Sequence, residues 1–304
     1  MAGVAYGVRL ETNFPLDDLP RSAADEPSIM IDVQRTSDVP TYTGTILTIY
    51  PARGRTATLT LTDSCFVLQI DDLFCFELWL SAKRIVCFAQ HEVPYELLRY
   101  WILHQILPLF QMLSGSLAFI HGMAVSTRVA EEKEGSVSQK ASCIGFYGES
   151  RAGKSTLLSY FLSRGHSLVT DDHLALSTKT YTDAVPTTPF YRPYRAIEDL
   201  GFVAENYSPE TRPLRRLYML QPAAPDADIR VEKLNGVEVV STLLNDLQYT
   251  PYDRRVPEFL PVVTGRFRGL SQLARQIPTL RLHVPHSMDR LSEVYDFIQK
   301  DVAS

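Results

Sequence analysis

The chain is poor in cysteine, and none of its cysteines stands at a metal-binding spacing. Cys65, Cys75, Cys87 and Cys143 form no CxxC pair. A zinc module is therefore not expected, and the four read as buried thiols in a reducing compartment. An excess of basic charge is also missing: 30 Lys and Arg stand against 35 Asp and Glu, a net charge of −5. That balance argues against sequence-independent binding to nucleic acid, which needs clustered cations against phosphates. The opening MAGVAYGVRLETNFP lacks a basic segment followed by an apolar one, so a cytoplasmic location is expected. Charge is absent altogether from 100–127, a stretch long enough to span a bilayer. It contains His104, Gln105, Pro108, Gln111, His121 and the break Ser114-Gly115-Ser116, however, so a buried helix followed by a buried strand is expected, with no membrane partner. Internal repeats and low-complexity tracts are missing too. What remains is a 304-residue chain, 45% hydrophobic and 21% charged, of globular type and long enough for one large or two modest domains.

Residues 1–90 read as a β-rich N-terminal domain. Runs at 45–50, 56–62, 65–71 and 85–89 are rich in Val, Ile, Thr and aromatics and are bounded by Gly, Pro or Asp. The polar stretch 20–27 reads as a loop. From Tyr95 the period changes: Tyr95, Leu98, Ile102, Ile106, Leu109 and Leu113 recur every three or four residues, the mark of one helical face. Ser114-Gly115-Ser116 ends that helix, and 117–125 is a strand carrying His121-Gly122. A polar, charged segment at 127–142, with EEKE inside it, reads as an exposed loop or hairpin tip. Residues 91–304 then form a second domain. Strands are expected at 143–147, 167–170, 217–220 and 280–284, and helices at 155–163, 270–276 and 288–302. That alternation indicates an α/β fold with a sheet between helices, α+β being the alternative.

The most informative segment is CIGFYGESRAGKSTLLSYFLSRGHSLVTDDHLAL. Gly148, Gly153, Lys154 and Ser155 complete G-x-x-x-x-G-K-S, the phosphate-binding loop, between an apolar strand and a helix. Glycines let the backbone curl so that successive N–H groups face phosphate oxygens, and the helix aims its positive end at the same anion. The residues expected to cradle ATP are Gly148, Glu149, Ser150, Arg151, Ala152, Gly153, Lys154, Ser155 and Thr156. Lys154 brings a point charge to the β and γ phosphates, and the Ser155 hydroxyl can ligate Mg²⁺. Eighteen residues after Lys154, the strand HSLVT ends in Asp171-Asp172. One helix separates loop from acids, which predicts that both carboxylates emerge beside the phosphates on a neighbouring strand. On an extended chain they would point in opposite directions, one towards Mg²⁺ and one towards an attacking hydroxyl. A turn or helix-capping pair of Asp is the simpler alternative.

His121-Gly122 on a strand, the loop GESRAGKS and the run RGHSLVTDD together resemble the HPr kinase/phosphorylase family, whose catalytic core is related to the PEP carboxykinases. The chain is more similar still to the HPr-kinase-like serine kinases that modify lasso-peptide precursors. The resemblance extends to YGVRLETNFPLDDLP, PLRRLYML and IPTLRLHVPHSMDRLSEV, and is most specific over 118–220. It implies a P-loop catalytic core behind a smaller β-rich domain. It makes Asp172 the proton acceptor, places Asp171 at the metal and makes His121 a catalytic-site histidine on the phosphates. The family's second metal ligand is a Glu in a Gly-rich signature. Here the stretch reads YRPYRAIEDLGF, which leaves Glu198 as the candidate.

The expected activity is ATP- and Mg²⁺-dependent phosphorylation of a serine hydroxyl on a precursor peptide or small protein. HPr kinases assemble as hexamers, so a homo-oligomer is compatible with the resemblance. Alternatives are a kinase for a small-molecule hydroxyl and a regulatory module that binds ATP without turnover. Arg192, Arg195, Arg212, Arg215 and Arg216, interleaved with Tyr191, Tyr194 and Tyr218, are candidates to clamp a γ-phosphate or a peptide carboxylate. An ordinary solvated rim would have the same composition.

Overall fold

The structure, a computed structural model of the chain, describes residues 2–21, 28–52, 54–129, 142–192, 198–245 and 260–303. Two compact units emerge. One comprises Met1–Ser116, Ile197–Asp199 and Tyr249–Thr264; the other comprises Leu117–Ala196, Leu200–Gln248 and Gly265–Ser304. The loop expected at 20–27 and the polar segment at 127–142 lie mostly outside the described residues, as do Tyr194 and Arg195.

Among the described residues the first unit has eight strands: β1 (Ala2–Ala5), β2 (Val8–Thr12), β3 (Ser28–Thr36), β4 (Thr45–Ala52), β5 (Arg55–Leu61), β6 (Phe66–Ile70), β7 (Phe74–Trp79) and β8 (Arg84–Gln90). They form one sheet in the order β1-β2-β3-β8-β7-β6-β5-β4, parallel at β2–β3 and β3–β8. Strand alternation puts Phe74, Phe76 and Leu78 of β7 and Ile85, Cys87 and Ala89 of β8 out of solvent.

The helical face read from Tyr95 is one continuous run in this unit. It comprises α1 (Tyr95–Tyr100), a π-helical turn over Trp101–Ile106, and α2 (Leu107–Leu113). Pro108 explains the wide turn. It has no N–H for the carbonyl four residues back and its ring crowds that carbonyl, and a π turn relieves both. The Tyr6 hydroxyl donates to the Leu103 carbonyl at 2.8 Å inside the widened turn. Gly115, at φ +70°, ends the run, with Ser116 N–H donating to the Gln111 carbonyl. Among the described residues no helix is long and apolar enough to cross a membrane.

The second unit contains β9 (Leu117–Val129), β10 (Cys143–Tyr147), α3 (Lys154–Ser163), β11 (His166–Thr170), β12 (His173–Ser177), β13 (Asp183–Val185), β14 (Phe190–Tyr191), β15 (Phe202–Val203), β16 (Arg212–Ala223), β17 (Arg230–Lys233), α4 (Gly236–Asn245), the part of α5 (Leu260–Gln276) from Gly265 onward, β18 (Thr279–Pro285) and α6 (Leu291–Ala303). Its sheet carries helices on both faces. Cys143 and Tyr147 of β10 face a cluster with Leu243 of α4 and Leu270 and Leu273 of α5. Ile144 and Phe146, the alternate residues, face Leu158 and Phe161 of α3 and Val294 and Ile298 of α6. The chain is thus of mixed α/β class. Each fully buried Leu, Ile or Phe contributes about 1.5–3 kcal/mol.

All four cysteines are buried and unbridged. Burial pushes the Cys75 and Cys143 thiols from 9.0 up to about 12, and Cys87 well above its usual value. At pH 8 a thiol titrating near 12 is about one part in ten thousand thiolate, and thiolate is the reactive form. Cys75, Cys87 and Cys143 are therefore expected to resist a thiol-specific disulfide reagent in the folded protein and to react together on unfolding. Reaction within minutes under native conditions would contradict their placement. Because these folded values lie above 9.0, the stability they confer is complete below pH 9 and declines as pH rises towards 12.

Candidate functional site

The loop between β10 and α3 has the backbone that its glycines allow. Gly148 sits at φ +138° and Gly153 at φ +92°, and Arg151 is also left-handed at φ +68°. At Gly148 there is no room for a side chain, since a Cβ would lie 2.9 Å from the Leu220 carbonyl oxygen. Gly153 is the N-cap of α3 and brings no side chain to its first N–H groups. The Lys154 ammonium bends back over the loop, donating to the carbonyls of Gly148 at 2.6 Å and Glu149 at 3.0 Å. Positive φ values, an N-terminus without a side-chain cap and a lysine spanning the mouth are features that an anion cradle requires.

The acids do not stand on the strand beside the loop strand, contrary to the expectation from one short crossover. β9 lies between them. Its central residues pair antiparallel with β10 on one edge, and the same strand pairs antiparallel with β11 and β12 on the other. Gly122 is the pivot: it is opposite Tyr147, the residue before the loop, and its N–H donates to the Asp172 carbonyl at 3.3 Å. Two strand spacings put the backbones of Tyr147 and Asp172 about 10 Å apart across Gly122. A Cβ on Gly122 would fall 2.5 Å from the Phe146 carbonyl oxygen, so the close approach of β9 and β10 requires glycine there.

Asp171 and Asp172 are not on extended chain either. They form a break between β11 and β12, which otherwise run along β9 as one line. Asp172 is left-handed at φ +63°, and His173 N–H donates to the Asp171 carbonyl at 2.7 Å. This is the tight turn that the sequence admitted as the simpler alternative, and it sits within the site. The Asp171 carboxylate accepts the Arg192 backbone N–H at 2.8 Å. The Asp172 carboxylate meets the Arg192 guanidinium at 3.3 Å through one oxygen and His121 Nε2 at 3.5 Å through the other. His121 faces His173 across the β9–β12 ladder, so register alone brings it to the turn.

No family model matches the chain, and no curated protein does.

Of the arginines read as clamps, Arg192 alone among the described residues is shown on the acids. Its side chain is only 4% exposed. Arg216 and the Tyr218 hydroxyl both bond Asp301 of α6, which locks that helix to β16. Arg212 donates to the Ser208 hydroxyl, and Arg215 is exposed. Glu198 groups with the first unit, where it pairs with Arg55 at 2.6 Å, so as a metal ligand it would have to leave that partner. Ser155 and Thr156 open α3, while Glu149, Ser150 and Arg151 line the exposed side of the loop and Ala152 is buried. The roles of Gly122 as spacer and of the Arg192 N–H were not read from sequence. A lone glycine inside an apolar strand was the available signal for the first.

Proposed function

We propose that the chain is an ATP- and Mg²⁺-dependent phosphotransferase that phosphorylates a serine hydroxyl on a peptide or small protein, with the HPr-kinase-like core that its motifs resemble. One observation carries the reading: Gly122 joins an anion cradle on one edge of β9 to a carboxylate turn on the other. The γ-phosphate of a nucleotide seated on the loop would point from Lys154 towards Asp172. Ser155 and Asp171 offer hydroxyl and carboxylate oxygens, the hard donors that suit Mg²⁺. Bound there, Mg²⁺ would neutralise charge on the β and γ phosphates.

The protein's own residues do the rest. Lys154 exchanges the loop carbonyls for phosphate oxygens. Asp172 accepts a hydrogen bond from the acceptor hydroxyl and takes its proton late, as the oxygen bonds to phosphorus, so an ordinary carboxylate suffices as base. His121, beside the same carboxylate, would donate to a phosphate oxygen. Positioning and charge neutralisation supply most of the acceleration. Incubation with ATP labelled in the γ-phosphate, Mg²⁺ and a pool of serine-containing peptides is expected to label peptide. Label appearing only as free phosphate would contradict the acceptor assignment, and no nucleotide binding would contradict the whole reading.

A further inference from the structure

We propose that the two-stranded ribbon β14–β15 is the acceptor arm of this site, receiving an extended peptide segment with a bulky apolar residue next to its hydroxyl residue. The inference rests on the phosphotransferase reading and specifies its substrate class. In the ribbon Phe190 pairs with Val203 and Tyr191 with Phe202, and the Tyr191 and Phe202 ring centroids are 6.0 Å apart. Arg192 follows directly. Its N–H holds Asp171 and its guanidinium holds Asp172, so the end of β14 is bonded to both acids. The returning strand is pressed onto the same arginine. A Cβ on Gly201, at φ +80°, would lie 2.3 Å from both the Arg192 Cγ and the Tyr191 carbonyl oxygen. From Asp172 to Phe202 there is thus an unbroken line of contact through Arg192 and Gly201.

At the end of that line stand the exposed apolar residues. Phe202 is 62% exposed and Val203 is 51% exposed. Neighbours on a strand point to opposite faces, so β15 is uncovered on both. The surrounding Leu200-Gly201-Phe202-Val203-Ala204 has no charge, so an occupant gains by burying apolar surface and not by ion pairing. Among the described residues β15 has β14 as its one strand partner in that sheet, and an extended peptide can add along its other edge. A small hydroxyl compound reaching Asp172 would leave Phe202 and Val203 wet. A peptide threaded past Asp172 covers them.

The test uses the full chain, ATP, Mg²⁺ and two synthetic peptide sets, one with serine flanked by Leu or Phe and one with serine flanked by Gly or Asn. The wild type is expected to favour the apolar set in kcat/KM by about tenfold or more. F202S/V203S should bring the two sets close to parity through a raised KM. Its KM for ATP should stay unchanged, and its far-UV circular dichroism should match that of the wild type. A wild type without preference, or a preference unchanged in the variant, overturns the inference and leaves phosphoryl transfer standing. Loss of a dimer in the variant would assign the two residues to a second copy of the chain and also overturn it. If no peptide is labelled while a small hydroxyl compound in the same mixture is, the arm is wrong and transfer survives. If neither is labelled, the phosphotransferase reading itself has failed.

Discussion

Asp172→Asn is expected to bind ATP as the wild type does and to transfer its γ-phosphate about 10²- to 10⁴-fold more slowly, the range for losing a general base. The substitution suits the site for a local reason. Asp172 sits at φ +63°, and asparagine is among the few side chains that tolerate that region, so the turn between β11 and β12 survives. The amide oxygen can still accept from Arg192, which now stands at 3.3 Å from the carboxylate. Alanine would add backbone strain and strip Arg192 of that acceptor, so a loss of activity there would not isolate the proton. The rate of peptide labelling and nucleotide affinity, measured side by side, check the expectation. Equal labelling by Asp172→Asn and wild type would remove Asp172 from the reaction.

Gly122→Ala is expected to damage both stability and transfer, although the residue carries no functional group. A methyl group there would sit 2.5 Å from the Phe146 carbonyl oxygen and 3.3 Å from the Tyr147 Cβ. The first contact is with backbone in a strand held on both edges, β9 on one side and β16 on the other. Relief therefore requires β9 and β10 to part. Overpacking of this kind costs about 1–3 kcal/mol, read as a lower urea midpoint. Parting the strands also moves the loop between β10 and α3 away from the Asp172 turn, since Gly122 is the one residue between them. A displacement near 1 Å in reacting geometry costs about 10²-fold in rate. A variant with wild-type stability and wild-type labelling would contradict the spacer role.

The loop between β10 and α3 was legible because it is local. Strand, glycines, lysine and helix are consecutive, and each enforces its own part of the backbone. What surrounds it depended on pairing between distant segments. Nothing in HSLVTDD says that β9, a strand far earlier in the chain, will lie between the acids and the loop, and the left-handed Asp172 sits at the break between β11 and β12 along β9. Arg192 stood among five arginines of similar context. Only the return of β14 to the turn separates it from Arg216, which Asp301 holds.

Elsewhere, several elements were not legible in the sequence, β3, β7 and β12 among them, and for β1 and α4 the reason is propensity. β1 is Ala-Gly-Val-Ala, whose small residues carry little strand signal. α4 opens on glycine and includes three valines, poor helix formers that tertiary packing of Val239 and Leu243 overrides. The helix from Tyr95 was read as regular because periodicity tolerates a π turn, and Pro108 was the residue that announced one.

The central claim is that one nucleotide can touch the cradle and the acid turn together. A crystal structure of the chain with a non-hydrolysable ATP analogue and Mg²⁺ measures this directly. The account predicts Lys154 Nζ turned from the Gly148 carbonyl onto the phosphates, with the γ-phosphorus within about 6 Å of an Asp172 carboxylate oxygen, the span that one hydroxyl fills. Phosphates seated on the loop with Asp172 too distant for a single hydroxyl to bridge, or a nucleotide bound away from the loop, would contradict it.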